Sequence, residues 1–270
     1  MMKTSRIVLV LVAINGFIVG CTDQVKSVGT PLAWKQKQQM IIVLTQNWDS
    51  NQGVMFLNEN KNGKWVTFPE TFVVSLGKKG LARDPYLLNK PIQKVAIKRE
   101  GDYRSPAGLF YLGESFGYEN RRFFSYPYRM VGKNDYCIDD PGSEFYNKII
   151  DITYVKKISF IKSKEPMRRD LIVEGDKQYK IGIFIQYNPY NLPYKGSCIF
   201  IHVKKNNITS STAGCTAMNE KDLNYLLYWL RAYYRPIYVL LPISEYNSRK
   251  KNWNLPQLDD VTIKKKFIEK

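Results

Sequence analysis

The chain has 270 residues, with 41 Lys plus Arg against 24 Asp plus Glu, a formal charge of +17 and a single histidine. Hydrophobic residues make up 44% and aromatics 14%; this excludes a disordered, collagen-like or small disulfide-scaffold chain and lets one enzyme-sized unit bury roughly three quarters of its unfolded surface. One imidazole and no cysteines at CxxC spacing argue against zinc clusters and multi-histidine iron sites, so no metal or cofactor is expected.

Lys3 and Arg6 precede an apolar run from Ile7 to Gly20, short for a bilayer span but of the length of the apolar core of an export leader. The run closes on Ile18-Val19-Gly20-Cys21, which resembles the lipobox of bacterial lipoproteins. Residues 1–20 are read as a lipoprotein signal peptide and Cys21 as the lipidated first residue of the mature chain, facing the periplasm; an ordinary cleaved leader or a cytosolic start is the alternative. Without residues 1–20 the chain keeps 39 basic against 24 acidic groups, +15. In an exported protein such a charge favours anionic partners, either lipid head groups or the carboxylates of cell-wall peptides. No nucleic-acid-binding motif accompanies it, so nucleic acid is not an expected partner.

Residues 21–38 are polar and turn-rich and are read as a tether to a folded domain over 39–245. Met40 to Leu44 predicts a strand. Trp65 to Phe68 and Thr71 to Leu76, parted by Pro69-Glu70, predict a meander. Ile181 to Tyr187 and Cys198 to Val203 predict two more strands, with turn material between them. Asn219 predicts a helix cap, with Asp222 at the third position and an apolar stripe of Leu223, Leu226, Leu227 and Leu230 that packs on the sheet. Ile237 to Leu241 resumes as strand. Residues 246–270, with Lys264-Lys265-Lys266, are read as a basic, solvated tail. There is no internal repeat.

Chemistry concentrates around the one imidazole. His202 lies at the end of the strand Cys198 to Val203, and Ser210-Ser211-Thr212-Ala213-Gly214 leads to Cys215, thirteen residues after it, and on toward the helix. A cysteine on a small-residue turn before a helix N-terminus would feel the positive end of the macrodipole, which favours thiolate. Gly214 would let backbone N–H groups approach a developing oxyanion, and His202 could take and return the thiol proton. By pattern alone a lone histidine and cysteine at this separation are more often structural. Besides Cys21 there are Cys137, Cys198 and Cys215, an odd number. If Cys215 stays reduced, Cys137 and Cys198 are available to pair; otherwise all three are small buried residues.

From Gly196-Ser197-Cys198-Ile199-Phe200-Ile201-His202 to Thr212-Ala213-Gly214-Cys215-Thr216-Ala217-Met218 the chain resembles the active-site signature of the L,D-transpeptidase catalytic domain, the YkuD-type fold. Lys98-Arg99-Glu100-Gly101-Asp102 with Ser105-Pro106-Ala107-Gly108-Leu109-Phe110, Asp139-Asp140-Pro141-Gly142-Ser143 with Tyr146-Asn147, and Met167-Arg168-Arg169-Asp170 are similar to further elements of it. The resemblance spans roughly 40–245 and implies a mainly β fold with α, a β-sandwich with a helix packed after the cysteine. It implies Cys215 as nucleophile on peptidoglycan peptide stems, His202 as base then acid, oxyanion amides at Gly214 and Cys215, and Thr212 supporting the turn. A thioester would form, D-alanine would leave, and an amine of another stem or of a protein acceptor would resolve it; water would make the enzyme a carboxypeptidase or amide hydrolase. A non-catalytic wall-binding lipoprotein is the third reading. The chain departs from many members at Ala217, where arginine is frequent, and at Ala213, where histidine is. Arg99 and Arg104 are candidates to replace that arginine in holding substrate, unless they are only solvated charges.

Overall fold

The apolar run at 40–44 lies at the centre of the main sheet, every residue of it buried. This computed structural model describes residues 33–85, 94–120, 125–156, 158–205, 210–258, 261, 263 and 267; the leader, Cys21 and Lys264-Lys265-Lys266 lie outside the described residues. Strand β1 (Gln39–Thr45) pairs antiparallel with β2 (Gln52–Lys61), which turns through Asn62-Gly63 into β3 (Lys64–Ser75). Asn62 and Gly63 both have positive φ, 55° and 80°, the backbone of a two-residue hairpin and the reason for Asn-Gly there.

The expected meander within 65–76 is instead one continuous strand. Its pairing with β2 skips residues 68–70, between Thr67↔Asn58 and Thr71↔Phe56, so Pro69 falls in a bulge where its missing N–H costs no ladder bond. Short β4 (Leu81–Arg83) runs parallel to the start of β5 (Ser105–Gly117), and β6 (Tyr128–Met130) pairs with its end. A small sheet of β7 (Asp135–Cys137), β8 (Ile149–Asp151) and β9 (Glu165–Pro166) follows. The chain then returns to the main sheet with β10 (Ile181–Ile185), β11 (Phe200–Val203) and β12 (Thr216–Met218). After helix α1 (Glu220–Trp229) comes β13 (Ile237–Pro242), which is parallel to β1, and then helix α2 (Ile243–Arg249).

Among the described residues the main ladder runs β10-β11-β12-β3-β2-β1-β13-β5, and β5 pairs back to β10. Strand β5 makes this possible because its first half, Gly108 to Tyr111, pairs with β13 and its second half, Leu112 to Gly117, with β10. The fold is mainly β with some helix. Helix α1 carries the expected stripe: Leu223, Leu226, Leu227 and Leu230 are all fully buried, and the helix lies against β10 and β11. Asn219 holds the N-cap position in extended conformation but makes no side-chain cap; its amide instead donates to the Asp222 carboxylate at 3.2 Å.

Past residue 245 the described chain is packed, not solvated. Tyr246, Leu255, Leu258 and Ile263 are buried, and the Tyr246 hydroxyl donates to the Pro256 carbonyl at 2.5 Å while accepting the Leu258 N–H at 2.9 Å. The lysine-rich composition hid four apolar residues spaced along that segment. Because the leucine stripe fastens α1 to the strands that carry the site, Leu227→Ala should cost about 2–5 kcal/mol; urea unfolding is expected to show a lower midpoint at an unchanged slope.

Candidate active site

Strands β11 and β12 are parallel neighbours, with Ile201↔Thr216, His202↔Ala217 and Val203↔Met218 in register. Side chains alternate along a strand, so His202 and Phe200 project from one face, the face that also carries Ala217 and, two residues back, Cys215. The only imidazole and the only free thiol among the described residues are thereby brought to one side of one strand pair. His202 stands between Gly182 on β10 and Ala217 on β12, both too small to cover its ring.

The turn before Cys215 is pinned from three directions. Thr212 N–H donates to the Leu76 carbonyl at 2.8 Å, and Lys78 N–H to the Thr212 carbonyl at 2.9 Å, which dock the turn on the end of β3. The Thr212 hydroxyl donates to the Cys215 carbonyl at 2.7 Å. Ser105, at the start of β5, accepts the Gly77 N–H at 2.9 Å and donates to the same Cys215 carbonyl at 3.1 Å. Gly214 adopts φ +152°, and a Cβ there would stand 3.0 Å from the Arg104 carbonyl oxygen, so this close backbone passage requires glycine.

The Gly214 N–H is not directed outward, because it donates to the Thr212 hydroxyl at 3.0 Å. Among the described residues Cys215 N–H makes no hydrogen bond, and Phe200 N–H points at the sulfur, 3.4 Å from Sγ.

The thiol itself donates to the Cys198 carbonyl at 3.4 Å. Cys198 is held firmly: it is disulfide-bonded to Cys137, its φ is +54°, and its N–H donates to Asn147 Oδ1 at 3.0 Å. The Asn147 amide in turn donates to the Tyr187 and Asn188 carbonyls, each at 3.1 Å. Behind this wall Glu100 accepts from Ser197 Oγ at 2.7 Å and from the Tyr146 hydroxyl, and that hydroxyl accepts the Gly196 N–H at 3.1 Å. Glu100, Tyr146 and Asn147 stood in the sequence as elements of a resemblance without roles; their task is to shape the backbone that faces the sulfur.

Electrostatics reverse the expectation of a thiolate. A three-residue strand, β12, separates Cys215 from α1, so the sulfur is not at the helix terminus, where the macrodipole acts. Burial pushes the Cys215 thiol up to about 12, with Glu165 adding to the rise; the Phe200 N–H, Lys98 and Arg169 pull the other way and do not offset it. Burial likewise lowers His202 to about 4, against the raising effect of its bond to Val203. Nδ1 of His202 is 2.8 Å from the Val203 carbonyl oxygen. A carbonyl only accepts, so Nδ1 carries the proton and Nε2 is the ring's free base. The resting pair is neutral thiol and neutral imidazole.

The imidazole meets the Tyr179 ring edge-on at 5.4 Å, and Tyr179 packs in the same way on Phe116 at 5.8 Å and Phe200 at 5.4 Å. The Tyr179 hydroxyl donates to Glu165 Oε1 at 2.7 Å, and Arg169 Nη1 donates to the same oxygen at 3.2 Å. Neither arginine proposed from the motifs is brought to the pair. Arg99 is exposed, and its backbone N–H donates to Asp102 at 2.9 Å while its carbonyl accepts from Lys98 Nζ at 2.7 Å. The Arg104 guanidinium turns to the Leu81 carbonyl at 3.1 Å and Asp49 at 3.4 Å. Arg169, reached from β9, lies over the Tyr179 ring at 5.4 Å, a placement that spacing along the chain cannot show.

Folding depresses the His202 pKa from 6.5 to about 4, so between those values the unfolded chain binds a proton that the folded chain refuses. The contribution is fully present above pH 6.5, and roughly 3 kcal/mol is lost as pH falls through about 4. Urea unfolding of His202→Gln should show a smaller acid loss than the parent between pH of about 7 and about 4.5.

The family model for the L,D-transpeptidase catalytic domain matches residues 47–239, more than half of the chain and inclusive of every residue of the site just described. No curated protein matches the chain, and no solved structure does. The chain belongs to the L,D-transpeptidase catalytic-domain family.

Proposed function

We propose that this chain is a peptidoglycan L,D-transpeptidase that acts through a Cys215 thioester on tetrapeptide stems. The observation that carries the reading is the β11–β12 register, which sets His202 and Cys215 on one face of adjacent strands with Nε2 as the free base. The thiol proton passes to His202 Nε2 as Sγ bonds to the stem carbonyl carbon, with the open Cys215 N–H available to the oxyanion. The C–N bond then breaks and that proton leaves with the amine of D-alanine. An acceptor amine attacks the thioester, its proton returns through His202 to sulfur, and the new amide departs. With a resting thiol near 12 and an imidazole near 4, no ion pair precedes attack; the proton moves as the carbon–sulfur bond forms.

Hydrolysis of the same thioester by water is a second reading. It is favoured by the small exposure of Cys215 and His202, 9% and 5%, which admits water more readily than a second stem. The family resemblance further supports a two-sheet sandwich. The motif at 18–21 supports an exported lipoprotein whose Cys21 lipid holds the domain at a periplasmic membrane face, where its basic surface meets peptide carboxylates.

Incubation with tetrapeptide muropeptides followed by mass spectrometry tests the reading. The parent chain is expected to release D-alanine and give dimers; monomers trimmed without dimers mean the hydrolase. Cys215→Ala is expected to be inert, and His202→Gln to lose about 10²- to 10⁴-fold in turnover. An unchanged product profile for Cys215→Ala would overturn the mechanism and leave a wall-binding protein.

A further inference from the structure

Arg169 presents a guanidinium with two of its three nitrogens committed. Its Nε donates to Asp176 Oδ2 at 3.0 Å and its Nη1 to Glu165 Oε1 at 3.2 Å. Nη2 makes no hydrogen bond among the described residues, and 27% of the side chain's surface is accessible. The cation lies over the Tyr179 ring at 5.4 Å, and that ring meets His202 at 5.4 Å, so one aromatic ring separates the guanidinium from the imidazole. Glu165 ties the Tyr179 hydroxyl and Arg169 to one carboxylate oxygen, which fixes ring and cation as a unit. The charge is felt at both reacting groups, since Arg169 lowers the pKa of Cys215 and of His202. Neighbouring Arg168 is differently disposed: its Nε and Nη2 both bond Asp170, at 2.8 Å each, and it stacks on Tyr118 at 4.8 Å.

We infer that Arg169 is a specificity-determining residue, which binds the C-terminal carboxylate of the donor peptide through its Nη2 group. The identity of that peptide rests on the function proposed above. A guanidinium already oriented by two carboxylates loses little freedom on receiving a third, and its planar N–H groups match carboxylate geometry. Holding the terminal carboxylate beside the thiol selects a stem with one residue beyond the scissile amide. A longer stem carries its charge away from Nη2, and a carboxamide end offers no charge to it.

The test measures binding apart from chemistry. In the Cys215→Ala protein, calorimetry is expected to find a D-alanine-terminated tetrapeptide binding about 10- to 100-fold more tightly than its C-terminal carboxamide, the range for a charge-assisted bond. Arg169→Gln should bring the two peptides to equal affinity, Arg169→Lys should keep part of the ratio, and Arg168→Gln should leave it intact, with thermal melting reporting whether each variant is folded. A parent protein without the ratio overturns the inference, as does a folded Arg169→Gln or Arg169→Lys protein that keeps it whole. Turnover of the same peptides by the chain with Cys215 intact separates the two claims. An inactive chain with an Arg169-dependent ratio sinks the proposed reaction alone, and an active chain without that ratio sinks this inference alone.

Discussion

The parallel pairing of β11 with β12 is the constraint on which the site depends. With His202 opposite Ala217, thiol and imidazole share a face; a slip of one residue would turn one of them to the opposite face. The register is held at both ends of the pair. At the Cys215 end, Thr212 and Ser105 both bond the Cys215 carbonyl. At the far end, Lys204 N–H donates to the Met218 carbonyl at 2.8 Å and Val203 N–H to the Gln178 carbonyl at 3.0 Å. Helix α1, following β12 directly, covers the strands with its leucine stripe. The hydrophobic packing thus serves the chemistry by leaving β12 no second position.

Burial and polarity are in tension around the sulfur. Phe116, Tyr179, Phe200 and the Cys137–Cys198 disulfide surround Cys215 in one apolar cluster, and this desolvation outweighs the Phe200 amide, Lys98 and Arg169 in setting the thiol's protonation. A neutral, buried thiol is a poor nucleophile until a base removes its proton. In the proposed mechanism that base is the neutral imidazole, with Nδ1 anchored on the Val203 carbonyl.

The excursion between β7 and β10 joins these themes. It supplies Asn147, which fixes Cys198; Glu165 and Arg169, which hold Tyr179; and through Cys137 a covalent bond to the residue whose carbonyl receives the thiol. Glu165 illustrates the balance: desolvation raises its carboxyl, while the Tyr179 hydroxyl and Arg169 oppose the rise. One wall of the site is therefore built by a segment distant in sequence from both reacting groups.

Much was readable before any coordinates. The apolar run at 40–44, the β-branched strands at 181–185 and 200–203, the leucine spacing of α1 and the motif around His202 and Cys215 are local patterns, because side-chain periodicity and turn chemistry act over a few residues. Asn62-Gly63 carried a hairpin signal of the same kind, which would have joined β2 to β3. The continuity of β3 through Pro69, the packing of the chain past 245, the thiol's neutrality and the place of Arg169 over the Tyr179 ring were not readable. Each is set by groups far apart in sequence: a ladder register, a buried tyrosine, the desolvation of a sulfur, the direction in which a guanidinium finds its carboxylates. By itself the sequence determined which residues could do chemistry and the local elements that bear them; only the tertiary structure decided their protonation and their partners, because desolvation and hydrogen bonding depend on what surrounds a group in space.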